Sequence, residues 1–174
     1  MEIIKTSIEW ARNEVFSSAF FILFGALFLS ASAGFWQLGK TDLAKAYVVP
    51  TLIAGTLLLV IGIGLVFSNQ RRLATFEEAY RQNPVAFVES EIVRTEKTIK
   101  EYQNVVFTAI PIIIIVAALC IIFINGATWR ASMIITIAMM SVILIIDSNA
   151  KQRMEAYHQK LIEARAYFKQ HNTP

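Results

Sequence analysis

Four stretches of the chain carry no acidic, basic or histidine side chain: 15–39, 46–70, 102–129 and 131–146. A bilayer core about 30 Å thick is crossed by roughly 20 apolar residues of helix at about 1.5 Å each. The first three stretches are long enough outright. The fourth is shorter, but Trp129–Arg130 before it and Asp147–Ser148 after it can sit at the two interfaces. Backbone groups in hydrocarbon must be satisfied within their own segment, so each stretch is expected to be a transmembrane helix.

The charges lie between and outside these stretches, and their distribution orients the chain. Basic residues cluster before the first span (Lys5, Arg12), between the second and third (Arg71, Arg72, Arg81, Arg94, Lys97, Lys100) and after the fourth (Lys151, Arg153, Lys160, Arg165, Lys169). The other two loops hold Lys40, Lys45 and Arg130. By the positive-inside bias both termini and the middle segment face the cytoplasm, in a plasma membrane of the bacterial inner-membrane kind. The net charge of +3 follows this bias, and no basic–aromatic interleaving points to nucleic acid. Cys120, inside the third span, is the sole cysteine, so no intramolecular disulfide is expected. Ala31-Ser32-Ala33 resembles a signal-peptidase site, but Glu2, Glu9 and Glu14 cancel the positive n-region that a signal needs. The first span is therefore expected to be retained. Trp36 and Trp129 mark the outer interface and Trp10 the inner one, with Arg71 and Arg72 as further interface anchors that can meet anionic headgroups.

Outside the spans, apolar and small residues recur at alternating three and four spacing. The first series is Val85, Val88, Ile92, Thr95, Ile99, Tyr102 and Val106; the second is Ala150, Met154, Tyr157, Leu161, Ala164 and Phe168. That is a heptad seam. Asn83 before Pro84 is a helix-start pair, so one helix is expected to begin there and run into span three, and span four to continue to about Lys169. Folding the chain at Asn125-Gly126 sets Val85 opposite Phe168, Val88 opposite Ala164 and Ile92 opposite Leu161. The same fold sets Thr95 opposite Tyr157 and Ile99 opposite Met154. Ile4 and Ile8 are likewise expected to face Phe76 and Leu73. Asn13–Ser17 and Asn104–Thr108 are faintly alike, as are Glu78-Ala79-Tyr80 and Glu155-Ala156-Tyr157. These echoes suggest a duplicated hairpin, or interfaces that select similar residues.

Chemistry is sparse. No Asp, Glu, Lys, Arg or His lies within the spans, which disfavours a proton pump or proton-coupled transporter. Glu155-x-x-His158 has the spacing of a di-iron ligand pair, but the only other histidine is His171 in the tail, and a solvated helix face is the plainer reading. No catalytic residue, metal site or cofactor is expected. Small residues (Ser30 and Gly34; Gly55, Gly62 and Gly64) should let helices approach closely. Pro111 should kink span three and free the carbonyl of Phe107. Any permeation path must be lined by hydroxyls such as Ser17, Ser18, Ser30, Ser32, Thr51, Thr56, Thr108, Thr136 or Ser141.

The fold class expected is all-α: two transmembrane hairpins, termini inside, with cytoplasmic helices forming a coiled-coil stalk. Its segments are an amphipathic N-terminal helix (1–14), a first hairpin (15–68), a cytoplasmic helical segment (69–103), a second hairpin (104–147) and a C-terminal helix (148–174). The function expected is a non-catalytic membrane scaffold or accessory protein. Its stalk seam (Val85, Val88, Ile92, Ile99, Met154, Tyr157, Leu161, Phe168) would bind a second copy or a membrane-complex partner. The alternative is an oligomeric pore gated by the cytoplasmic helices.

Overall fold

The computed structural model describes residues 2–171, so Met1 and residues 172–174 of the expected terminal segments lie outside it, as does the side chain of His171. The described chain is helical: α1 (Glu2–Leu38), α2 (Asp42–Ala46), α3 (Val48–Gln82), α4 (Pro84–Glu101), a π-helical segment (Tyr102–Ala109), α5 (Ile110–Phe123) and α6 (Ala127–His171). Four stretches of helix are long and apolar enough to cross a membrane: Glu2–Leu38, Asp42–Gln82, Pro84–Phe123 and Ala127–Gln170.

Local chemistry sets the breaks. Asn83 Oδ1 accepts from the Ala86 amide at 3.0 Å and Pro84 opens α4, the start that the Asn-Pro pair predicts. Gly126 has φ 137, a conformation side-chain-bearing residues rarely adopt, and turns α5 into α6. Span two, expected to be continuous from Leu43, is instead divided into α2 and α3 at Tyr47. Pro50 is the reason, because it has no N–H to offer the Ala46 carbonyl; the Thr51 amide restarts the ladder on Tyr47 at 3.1 Å. Pro111, where a kink is expected, is preceded by a change of helix type. Eight residues before it widen into a π-helix, with the Ile110 amide bonded to the Val105 carbonyl, and the ring's steric demand is spread over that segment.

In the apolar half, α1 and α3 run antiparallel in backbone contact. A Cβ added to Gly55 would lie 2.9 Å from the Gly25 carbonyl oxygen, and one on Gly62 would lie 2.9 Å from the Ile22 nitrogen. Ser32 Oγ donates across this contact to the Val48 carbonyl at 2.8 Å. Gly55 and Gly62 thus do what small residues in a span are expected to do. Gly34 and Gly64 meet nothing within 4 Å, and Ser30 is exposed. The partner of Gly55 on α1 is Gly25, which sits seven residues after Ser18 and seven before Ser32. Against this hairpin lies α6, through Phe21, Leu58 and Ile146 with Phe24, Phe28, Met139, Val142 and Ile143 around them. Helix α6 is the hub, packing on α1, α3, α4 and α5, whereas the backbone of α5 comes close to that of neither α1 nor α3.

The charged half is a four-helix bundle built from the first turns of α1, the end of α3, α4 and the last half of α6. Its core joins Ile3, Trp10, Ala11, Phe76, Phe87, Val88, Ile92, Met154, Tyr157 and Leu161, with Ile4, Leu73, Ile99, Tyr102, Ala164 and Phe168 packed around it. Four helices around one core need wider apolar faces than a two-helix seam, and α1 and α3 supply Ile3, Trp10, Ala11 and Phe76 beside the two heptad helices.

Candidate functional site

The most distinctive chemistry lies where the bundle meets the apolar half. Here polar side chains from α1, α3 and α4 point inward beside Tyr157 of α6: Ser7, Glu14, Asn69, Glu91 and Thr95 are all buried. Helical spacing brings them together. Ser7, Trp10 and Glu14 lie on one face of α1; Glu91 and Arg94 are one turn apart on α4; Arg153 and Tyr157 are one turn apart on α6.

Tyr157 is the centre. Its hydroxyl has Ser7 Oγ at 2.9 Å and Glu91 Oε2 at 3.0 Å within reach, while Ser7 itself donates to the Ile3 carbonyl at 2.9 Å. Glu91 is held by the guanidinium of Arg94 in a two-pronged contact, 2.9 Å from Nε and 2.6 Å from Nη2. The Trp10 indole stacks on the Tyr157 ring at 4.9 Å with a 7° interplanar angle, and Arg94 lies over it at 4.6 Å from the centroid. One turn closer to the spans, Arg153 Nε donates to Glu14 Oε1 at 3.0 Å. Arg72 Nη1 donates to Asn69 Oδ1 at 2.6 Å, and Thr95 Oγ1 meets His158 Nδ1 at 2.7 Å.

Burial dominates the electrostatics. It pushes the Glu14 carboxyl above its ordinary range, against the opposing pull of Arg153 and, more weakly, Arg94 and Arg72. It drives the Tyr157 phenol up, and the neighbouring Glu91 carboxylate adds to the effect. Burial, then the charge of Arg94, lowers Arg72. Two buried donors, Trp10 Nε1 and Arg153 Nη2, have no hydrogen-bond partner among the described residues. The Glu14–Arg153 pair, the Tyr157 hydroxyl between Ser7 and Glu91, and Arg94 over Trp10 tie α1, α4 and α6 together. Among the described residues no group of three His, Cys, Asp or Glu side chains is placed to hold a metal.

The structure distributes the expected residues unevenly. Val88, Ile92, Met154, Tyr157 and Leu161 are buried in the bundle core, with Ile99 and Phe168 packed at its margin. Val85 is 41% exposed; on that first turn of α4 it is Phe87 that turns inward, packing edge-on against Phe76 at 5.3 Å and Tyr80 at 5.7 Å. Tyr157, expected opposite Thr95, faces α1 and Glu91 instead, and Thr95 meets the next residue, His158. Trp10, expected as an interface anchor, is 5% exposed and belongs to the core, because the stacked phenol and the guanidinium take the faces that lipid would cover. Trp36 and Trp129 are exposed at the opposite end, and Arg71 is exposed; Arg72 is half-buried on Asn69. Sequence reasoning missed Ser7, Glu14, Glu91, Arg94 and Arg153. A signal was present: residues 3, 7, 10, 14, 17 and 21 keep helical spacing straight through polar positions into span one. No known protein family, curated protein or solved structure matches the chain.

Proposed function

We propose that the protein is a non-catalytic membrane scaffold or accessory subunit. It sits with both termini and the charged bundle in the cytoplasm of a cell with a bacterial-type inner membrane, and a partner or a second copy docks on the helices of the bundle. The expected coiled-coil stalk is retained in this reading as the α4–α6 pair, braced by α1 and α3. Asymmetry of basic residues supports the orientation. The extent of the bundle supports the docking role: α6 continues for about 36 Å past residue 147, well beyond what anchoring requires.

The observation that carries this reading over the pore is the fate of the hydroxyls. Ser18 bonds the Glu14 carbonyl at 2.6 Å, Thr51 the Tyr47 carbonyl at 2.6 Å, Thr56 the Leu52 carbonyl at 2.8 Å and Thr108 the Gln103 carbonyl at 2.8 Å. These four hydroxyls are taken up by the backbone of their own helices, which supports the scaffold reading. In planar bilayers the purified protein is expected to show no single-channel current. Photo-crosslinkers at exposed bundle positions such as Glu77 and Glu96 are expected to give discrete adducts in native membranes. Reproducible currents altered by substitution at Thr136 or Ser141 would overturn the scaffold reading in favour of the pore.

A further inference from the structure

The helix that runs from α4 into α5 carries one residue too many. Along its inward face Val88, Thr95 and Tyr102 recur every seven residues, and Ile110 and Ala117 resume the same interval, but the step between Tyr102 and Ile110 is eight. A parallel row shows the same slip: Ile92, Ile99 and Val106 recur by seven, Ile114 and Ile121 recur by seven, and the step between Val106 and Ile114 is eight. Val88, Thr95, Ile110 and Ala117 are buried, at 1%, 0%, 6% and 3% exposure, so both halves of the first row face inward despite the slip. The π-helical segment at 102–109 is where the surplus is absorbed, since i→i+5 bonding takes more residues per turn than i→i+4.

Three further features bear on this segment. Pro111 has no N–H and its ring opposes a tight turn beneath it, which holds the widened turns at the foot of α5. Thr108 Oγ1 donates to the carbonyl of Gln103, five residues back, at 2.8 Å, in step with the wide register. Above the segment, the α5 backbone runs close to that of α6 but to that of neither α1 nor α3. We propose that residues 102–109 are a movable joint, which lets α5 turn about its axis and slide along α6 while α4 stays locked in the bundle by Glu91, Arg94 and Thr95. The surplus residue supplies the slack: shifting hydrogen bonds between the i→i+4 and i→i+5 frames rotates everything beyond the segment without breaking the helix.

The test uses full-length protein in nanodiscs, with Cys120→Ser and spin labels at Ile115→Cys on α5 and Ile145→Cys on α6, both exposed. A reference pair, Leu27→Cys on α1 and Val60→Cys on α3, spans the glycine-packed hairpin. The expected result is a distance distribution for the α5–α6 pair markedly broader than the reference. It should narrow to the reference width when Thr108 is deleted and Pro111→Ala is introduced, a change that brings both rows into unbroken seven-residue phase. A wild-type distribution as narrow as the reference, or one still broad in the deletion variant, overturns the joint. If that variant fails to fold, amide exchange in the wild-type protein decides. Amides 105–110 exchanging about ten-fold faster than α1 amides at the same depth support the joint, and equal rates overturn it.

Discussion

Arg153 on α6 reaches Glu14 on α1, Nε to Oε1 at 3.0 Å, across 139 positions of sequence. The Glu14 side chain is 9% exposed and that of Arg153 29%, so the pair stands at the edge of the bundle core rather than on its surface. Removing the carboxylate leaves a largely buried guanidinium without its counter-charge. Glu14→Ala is expected to destabilise the protein by about 3 kcal/mol, the lower end of the cost of breaking a buried pair, given Arg153's partial exposure. Unfolding titrations in mixed micelles measure this, and the exchanged pair Glu14→Arg with Arg153→Glu should recover part of the loss.

Tyr157 sets an alkaline limit. Its phenol is raised above the ordinary value of 10.0 by burial and then by Glu91, so the folded protein keeps the proton more tightly than the unfolded chain. The stability this difference contributes is fully present below pH 10.0, the unfolded value, and is lost as pH rises toward the folded one. Stability of the wild-type protein is expected to fall more steeply above that pH than stability of Tyr157→Phe. Equal slopes for the two would contradict the assignment.

The hairpin of α1 and α3 depends on absent side chains. Gly62→Val places atoms against the backbone nitrogen of Ile22, which cannot rotate away, and is expected to cost about 1–3 kcal/mol. Gly64→Val, facing open space, is expected to change thermal stability by well under half of that. A melt in detergent comparing the two variants makes the measurement.

Membrane orientation is checked by single cysteines in a Cys120→Ser background. Positions 40 and 130 are expected to react with an impermeant maleimide in intact cells, and positions 97 and 160, both exposed on the bundle, only after lysis. Labelling of position 97 from outside would reverse the topology.

Leu161, fully buried, belongs to the bundle core, and Leu161→Ala is expected to cost about 2–5 kcal/mol. Phe168→Ala, at the margin of the same core, should cost less; chemical denaturation of both variants ranks them.

Spans, turn and helix start were legible because each rests on a local rule: uncharged length, a glycine at positive φ, an Asn-Pro pair. At Thr95 the expected pairing across α4 and α6 is off by one residue, since it meets His158 where Tyr157 was expected. What escaped was whatever depends on a third helix. Trp10 looks like an interface residue until Tyr157 and Arg94 cover it, and Glu14 looks like a charge at a span's edge until Arg153 arrives from the last helix. Pro50 and the surplus residue before Pro111 were written in the sequence, but reading them requires counting hydrogen-bond donors and seven-residue steps, not hydropathy.

Since α6 is the hub, the last span translated is the one that every other element needs. A ribosome making this chain delivers α1 and α3 first, and their glycine contact can close without help. The next span, α5, then precedes the helix it lies against, and the bundle lacks Met154, Tyr157 and Leu161 of its core until residues beyond 147 emerge. A nascent chain halted at residue 126 therefore holds a finished hairpin and an orphaned third helix. The packing partners that α1, α3, α4 and α5 share are in place only once α6 has been made.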